Sequence, residues 1–502
     1  MKQYLLGLDN GGTISKAALF DLLGNEIAVV SAQTPLYTPR PGYAERDMEM
    51  LWEANCRVIR QVMKKASVAP DAIIGLSVCG HGKGLYLWGE TGIISHGFVS
   101  TDRRAWKYPQ KWRDEGDFDK LYPQLCQQLV SGQQAPILAW IKDNQREIYD
   151  KIHYIFAVKD YIRFRLTGEA FMEMTDISGS GLMDVKNACI DKVLLETLGI
   201  GEMYDKIPPL KLTTDICGRI TKQAAELTGL CEGTPVTGGM FDIDSCAVAM
   251  GVIDETSLCT ITGTWSINEF PSKNPVLGTA IAMNSLFAVP GYYLIEECSP
   301  TSAGNLDWQI ENLVKYDPLP DSESRYELVG KMVEEIAPED CEVYYLPFLY
   351  GSNAHPQAKA SFLGLTSFHT RAHMLRAVYE GVAFSAKSHI DKLLSVREKP
   401  AAIRLAGGVV NSAMWVQMFA DILGIPIETV EGVKELGALG CAISTAVALE
   451  IYPDFQTATA KMVRVNPSVA PDTRRAEIYA KKYTKYLALR DALDPVWDLL
   501  ES

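Results

Sequence analysis

Two stretches of this sequence carry the same arrangement, and any fold for the chain has to accommodate both. Residues 4–8 (YLLGL) are an apolar run, Asp9-Asn10-Gly11-Gly12-Thr13 a turn, and residues 15–20 a second apolar run, which together predict a β-hairpin. Residues 258–262 (LCTIT), Gly263-Thr264 and residues 265–270 repeat strand, glycine-threonine turn and strand further along. Such a repeat predicts two related halves facing one another across a cleft, each contributing a hairpin that can cradle phosphate. The first tip holds more than a reversal of direction needs. Asn-Gly alone would supply the positive φ, yet Gly12, Thr13 and Asp9 crowd the same turn. Glycines let backbone N–H groups approach a phosphate, Thr13 adds a hydroxyl donor, Lys16 a charge, and Asp9 could hold a hydrated Mg²⁺. An ordinary Asn-Gly hairpin with a solvated aspartate is the competing reading of this stretch alone.

At 502 residues the chain exceeds one hydrophobic core, so two large domains are the default. Apolar residues make up 47% and charged residues 22%, which suits a soluble globular protein without long disorder. A net charge of −14 argues against a general nucleic-acid or anionic-membrane binder. The eleven cysteines include no C-x-x-C pair, so none is assigned to a metal, and reduced thiols in a cytoplasm are expected. No basic-then-apolar leader and no long apolar run is seen.

Residues 26–32 predict a third strand, residues 48–65 an amphipathic helix and residues 72–78 a buried strand. That β-β-β-α-β order begins a mixed α/β domain rather than a doubly wound nucleotide fold, whose glycine loop opens a helix. Residues 143–165 read as helical and charged, residues 345–364 as a Pro/Gly-rich loop, and residues 371–394 as a long helix with one apolar stripe through Met374, Val378 and Val382. Gly437 and Gly440, among the small residues of 438–446, predict a helix packed closely on a neighbour. From Pro467 onward the chain reads as a solvated helical tail.

Four stretches carry candidate chemistry. His81 has glycines on both sides, which predicts exposure to an adjoining cleft, and Asp102-Arg103-Arg104 follows another strand; a loop histidine and an intrachain ion pair are the plainer alternatives. Gly238-Gly239 leads into Asp242 and Asp244 at the start of a helix, where either could simply cap it. Gly407-Gly408 ends a strand before Asn411, whose amide could bond a purine edge.

The ordered set Asp9-Asn-Gly-Gly-Thr13, Lys159-Asp160-Tyr161, Leu166-Thr167-Gly168, Gly238-Gly239-x-x-Asp242, Gly263-Thr264 and Gly407-Gly408 resembles the FGGY family of carbohydrate kinases. Ala360-x-Phe362-x-Gly364-Leu365, then His373-Met374 and Ala377-Val378-Tyr379-Glu380, is similar to the family's carboxy-terminal signature. Ile137 stands where many members carry lysine. The resemblance implies an α/β, two-domain actin-like ATPase (RNase-H-like) fold, with duplicated mixed β-sheet domains around a cleft. Expected boundaries are 1–252 for a sugar-binding domain, 253–450 for an ATP-binding domain and 451–502 for a helical extension packed on the second domain.

Members carry the catalytic aspartate at a set distance before the second Gly-Thr turn, and Asp242 matches it where Asp244 is two residues off. By the same matching, Asp242 is the expected base, Asp9 and Asp242 the acids at Mg²⁺, and His81, Asp102 and Asp242 the sugar contacts. Gly11, Gly12, Thr13, Lys16, Gly263 and Thr264 are the expected phosphate contacts, and Gly407, Gly408 and Asn411 adenine or ribose contacts. Residues 82–85, 101–105 and 299–305 resemble L-xylulose kinases and their 3-keto-L-gulonate-accepting relatives, whereas His81 is similar to D-xylulose kinases. ATP and Mg²⁺ are the implied cofactors, a sugar or polyol the partner, and a homodimer a possible assembly. Erythritol, glycerol and ribulose kinases, and a non-catalytic nucleotide-dependent sugar sensor, are the alternatives.

Overall fold

The computed structural model describes residues 2–263, 265–278, 281–320, 322–355 and 357–500. The chain divides into two compact units, one of Met1–Asp254, Pro271–Ile295 and Glu431–Arg464, the other of Glu255–Phe270, Glu296–Val430 and Val465–Ser502.

In the first unit the expected hairpin forms. Tyr4–Asn10 pairs antiparallel with Ile14–Asp21, which pairs with Glu26–Gln33. On its other side Tyr4–Asn10 runs parallel to Ile73–Gly80, and Met240–Phe241 runs parallel to that strand in turn. Pro235–Thr237 and Ile216–Arg219 complete a seven-stranded mixed sheet. Side chains alternate along a strand. Leu6 and Leu8 therefore join the core with Met48, Leu51, Val58 and Ile59 of the helix Met48–Ala66, while Gly7 and Asp9 face the helix Leu436–Ala448 on the opposite side.

That second helix lies very close. A Cβ on Gly440 would stand 2.1 Å from the Ser245 carbonyl oxygen, and one on Gly437 2.9 Å from Asp9 Oδ2. The small residues thus do what their pattern predicts, and Ser245 Oγ donates to the Gly437 carbonyl (2.6 Å) across the contact.

The second unit repeats the plan. Cys259–Thr262 pairs antiparallel with Ser266–Ser272 and parallel with Ile403–Gly407, which pairs parallel with Ile427–Glu428. Gly407 has φ +94° and a Cβ there would meet the Thr262 carbonyl at 2.2 Å, so the strand can turn there only as glycine.

Five sequence expectations need correction. Neither Gly11 nor Gly12 has positive φ; the tip is a longer turn closed by Gly11 N–H donating to Ile14 O (3.1 Å), so the glycines supply close approach rather than handedness. A strand, Tyr154–Phe156, interrupts the charged helical stretch, and Tyr344–Leu346 pairs with Ser361–Leu363 inside the expected loop. Arg371–Leu394 forms as expected but is buried on more than one stripe, with Arg376, Glu380 and His389 inside. The tail helix Thr473–Ala492 is no solvated appendage: Tyr479, Tyr483 and Tyr486 gather on Phe384, and Lys482 Nζ donates to the carbonyls of Pro338 and Cys341. Its polar residues satisfy buried carbonyls, which a charge pattern does not announce.

Gly440→Ala should lower stability by about 1–3 kcal/mol, the usual range for overpacking. Gly330→Ala, on a helix where a Cβ meets nothing within 4 Å, should be neutral or stabilising. Thermal melts of the two variants beside the parent check the contrast.

Candidate active site

Three parallel strands of the first unit end together. Asn10 and Phe241 are both register partners of Gly80, so the next residues, Gly11, His81 and Asp242, emerge side by side. Carboxyl ends of strands in open α/β sheets are where ligands bind. Asp242 is the first residue of the helix Asp242–Ala249, and the cap position belongs to Phe241, so capping is not its task. Asp244 is fully buried and accepts from Ala288 N–H (2.9 Å); burial, then the charges of Glu173, Asp176 and Asp242, pushes its pKa up.

His81 departs from expectation. It is 6% exposed, with Nε2 3.1 Å from Tyr86 Oη and Nδ1 3.3 Å from Gly82 O. Burial, helped by the nearby Arg46 guanidinium, lowers its pKa to about 3. His81 is therefore a neutral imidazole at ordinary pH, a hydrogen-bonding group and a very weak base. Arg46, itself buried, donates to the Gly11 carbonyl (3.1 Å) and to that of Gly12, and so ties down the hairpin tip. Gly12 and Thr13 are exposed, and a Cβ on Gly12 would meet nothing, which leaves the tip open to a ligand.

Asp9 and Lys16 are register partners across the hairpin. Lys16 Nζ meets Glu435 Oε2 at 2.7 Å. Burial opposes the ammonium, but its bond to Glu435 and the charges of Glu435 and Asp9 raise its pKa. Burial raises that of Asp9 as well, against the pull of Lys16. A carboxylate in that state gains from a cation. Among the described residues no three His, Cys, Asp or Glu side chains gather to hold a metal. One or two carboxylates fit Mg²⁺, which keeps waters and takes its other ligands from phosphate.

Asp102 is fully buried and accepts from Ala44 N–H (2.8 Å), Arg104 N–H (2.9 Å), Arg104 Nε and Arg104 Nη2 (2.8 Å). The plainer intrachain ion pair is what forms, and it leaves the carboxylate no free lone pair for a sugar. Arg104 also meets Glu45 (2.5 Å) and lies 3.9 Å over the Tyr43 ring.

The second unit holds a cavity of about 900 Å³, lined among others by Thr262, Gly263, Gly304, Tyr326, Gly408 and Asn411. Ligand pockets commonly span about 300–1,000 Å³, so a nucleotide fits. Gly263, Gly408 and Asn411 all line it; Gly407 supplies the turn, and Thr264 lies outside the described residues. The helix Ala413–Leu423 points its amino end, capped by Ser412, at the cavity, which suits phosphate. Trp415 forms part of the wall, its ring centroid 4.2 Å from that of Tyr379 at a tilt of 32°, and donates its Nε1–H to the Tyr379 carbonyl (3.1 Å).

Residues 4–249 match the model of the FGGY family of carbohydrate kinases, N-terminal domain, and residues 258–449 its C-terminal domain. The chain belongs to the FGGY family. It is a carbohydrate kinase with the two-domain actin-like ATPase fold, and sugar kinases of this family use ATP. It is 35% identical over 98% of both chains to the "L-xylulose/3-keto-L-gulonate kinase" of Escherichia coli (strain K12). It is 36% identical to the "Probable L-xylulose kinase" of Pasteurella multocida (strain Pm70), over 98% of this chain and 99% of that one. In fold it is similar to a gluconate kinase from Lactobacillus acidophilus, with a TM-score of 0.90, 23% identity and full coverage of both chains. No helix among the described residues is long and apolar enough to cross a membrane.

This FGGY kinase has site neighbours that sequence reasoning missed. Arg46, Tyr86 and Glu435 in the first unit and Tyr326 and Trp415 in the second come from segments with no motif, while Tyr379 lies in the carboxy-terminal signature without a site role assigned to it. Among the others, only the adjacency of Glu435 to the Gly-rich helix offered a signal.

The neutral state of His81 makes a testable demand. With an ordinary pKa of 6.5 and about 3 in the fold, its stability contribution is fully present above pH 6.5 and is lost as pH falls toward 3. Urea unfolding at pH 7 and pH 5 should show His81→Gln losing less stability than the parent, by about 2 kcal/mol at about 1.4 kcal/mol per pH unit.

Proposed function

We propose that this kinase transfers the γ-phosphoryl group of ATP to a hydroxyl of a small ketose of the L-xylulose, D-xylulose or 3-keto-L-gulonate type, with Asp242 as general base. The observation carrying this reading is the shared register of Gly80 with Phe241, which brings the His81 imidazole and the Asp242 carboxylate out at adjoining strand ends. Likeness over nearly the full chain to relatives named for L-xylulose and 3-keto-L-gulonate supports the ketose.

Phosphoryl transfer asks the protein mainly for positioning and charge stabilisation. Asp242 would accept the hydroxyl proton as the oxygen attacks. The amino end of a helix favours negative charge, which suits a group that must be ionised to serve as base. His81, neutral and anchored by Tyr86, would bond a sugar hydroxyl without competing for its proton. Asp102 would hold Arg104 and its surroundings in shape rather than touch sugar. Gly11, Gly12 and Thr13 would offer the open tip to phosphate, with Lys16 adding charge once phosphate competes with Glu435. In the second unit Gly263, Thr264, Gly407, Gly408 and Asn411 would serve the nucleotide. Asp9, with Asp242, would hold Mg²⁺, which when bound neutralises charge on the transferring phosphate. The cytoplasm is the proposed setting, in keeping with eleven cysteines that include no C-x-x-C pair.

Asp242→Asn should lower kcat by about 10²- to 10⁴-fold, the usual worth of a general base, with ATP affinity nearly unchanged. ADP release in the presence of L-xylulose, D-xylulose or 3-keto-L-gulonate, beside ATP titration by calorimetry, measures both. Parent-like turnover in the variant would remove Asp242 as base, and no stimulation of the parent by any ketose would remove the substrate class.

A further inference from the structure

Behind the His81 loop lies a buried charge cluster that the reaction as described does not use. Lys159, wholly buried, meets Asp160 Oδ2 at 3.0 Å and Glu173 Oε2 at 3.2 Å, and Arg163 Nη1 meets Asp160 Oδ1 at 2.8 Å. Glu173 is further held by Thr175 and Thr213, and Thr175 Oγ1 accepts from Phe241 N–H (2.9 Å), the residue before Asp242. Asp176, 1% exposed, is the third carboxylate. Its Oδ1 accepts from Lys83 N–H (3.3 Å), in the loop that carries His81, and its Oδ2 has no hydrogen-bond partner. The nearest cation to Oδ2 is Lys159, 3.9 Å away and already shared by two acids.

We propose that Asp176 is the positioning residue of the His81 loop and that it performs this role as a neutral carboxyl. The cluster counts two cations, Lys159 and Arg163, against three carboxylates, Asp160, Glu173 and Asp176. Three ionised acids would leave a net negative charge in a dry interior, which is strongly unfavourable. Asp176 is the acid with a bare oxygen, so it is the one that keeps its proton. Asp160 and Glu173 on one side and Asp244 and Tyr86 on others favour the neutral acid, while Lys159 and the bond from Lys83 N–H favour the ionised one. Burial, with Asp160 and Glu173, outweighs the pull of Lys159 and the Lys83 N–H bond and raises its pKa to about 7. As a neutral acid, Asp176 keeps Oδ1 as an acceptor for Lys83 N–H. Ionised, it has no donor for Oδ2 and must swing toward Lys159 or admit water. Either movement takes Oδ1 from the loop.

The consequence for sugar rests on the kinase reading. If only the protonated form holds the loop, apparent KM for sugar scales inversely with the protonated fraction, and rises about tenfold between pH 6 and pH 8. Asp176→Asn mimics the neutral acid, since its amide oxygen can accept from Lys83 and its NH₂ can donate toward the neighbouring carboxylates. Asp176→Leu keeps the bulk and loses both.

Two measurements test this. Hydrogen–deuterium exchange of the peptide containing residues 81–84, which needs no substrate, should show protection retained in Asp176→Asn and lost in Asp176→Leu. Steady-state kinetics with L-xylulose from pH 6 to pH 8.5 should show KM rising in the parent, flat in Asp176→Asn and high throughout in Asp176→Leu. Melting temperature gives a check on protonation alone. A carboxyl whose folded pKa is raised favours the fold below about pH 4 and loses that contribution as pH rises toward 7. The parent should therefore melt progressively lower relative to Asp176→Asn between pH 4 and pH 8. Equal protection of the loop in both variants overturns the positioning role, and parallel melting or KM profiles of parent and Asp176→Asn overturn the neutral carboxyl. A parent that turns over no ketose counts against the kinase reading alone, and loop exchange and melting still decide the role of Asp176.

Discussion

The site of the first unit depends on the parallel pairing of Tyr4–Asn10 and Met240–Phe241 with Ile73–Gly80. Hydrogen bonding between strands sets a register, and a slip of one residue would turn every side chain to the other face. Here the register ends three strands level, and the chain leaves each through Gly11, His81 or Asp242. His81 N–H donates to the Asn10 carbonyl (3.0 Å), continuing the ladder one residue past the strand. Asn10 in turn is locked by Asn55 and Ser15, so the edge from which all three groups emerge is braced from the helix Met48–Ala66.

The opposite face of that sheet is closed by a helix from late in the chain. Leu436–Ala448 approaches so closely that its glycines touch Asp9 and Ser245, and Glu435, just before it, takes Lys16 as an ion pair. Glu26 Oε2 accepts from both Lys434 N–H and Glu435 N–H, holding the helix start in place (3.0 and 3.1 Å). The hairpin that the sequence offers as a phosphate turn is thus framed by an acid on either side of its lysine. A lysine so placed stays charged, and a polyphosphate arriving at the tip has to compete with Glu435 for it.

Burial governs the protonation of the site more than charge does. His81 is kept neutral by desolvation, and Asp176 is pushed toward its neutral form by desolvation and like charges. Asp102, equally buried, is instead held by Arg104 and two backbone N–H groups. Side chains of one chemical type thus have different tasks according to how many donors the fold supplies.

By itself the sequence determined the elements whose chemistry is local. Both hairpins, the strand into Gly238-Gly239 and Asp242, the turn at Gly407, and the helices Arg371–Leu394 and Leu436–Ala448 were legible, because glycine freedom and apolar spacing act within a few residues. The family and its candidate base followed from the order of those turns. What only the tertiary structure decided is which distant side chains meet. Sequence exposed His81 on its flanking glycines, but Tyr86 and Arg46 bury it. Nothing local joins Lys16 to Glu435, brings Ala44 N–H to Asp102, or leaves one oxygen of Asp176 bare. Tyr479, Tyr483 and Tyr486 looked solvated among charges until Phe384 covered them. Desolvation and ion pairing depend on three-dimensional proximity, and that is set by strand register and close helix packing rather than by neighbours along the chain.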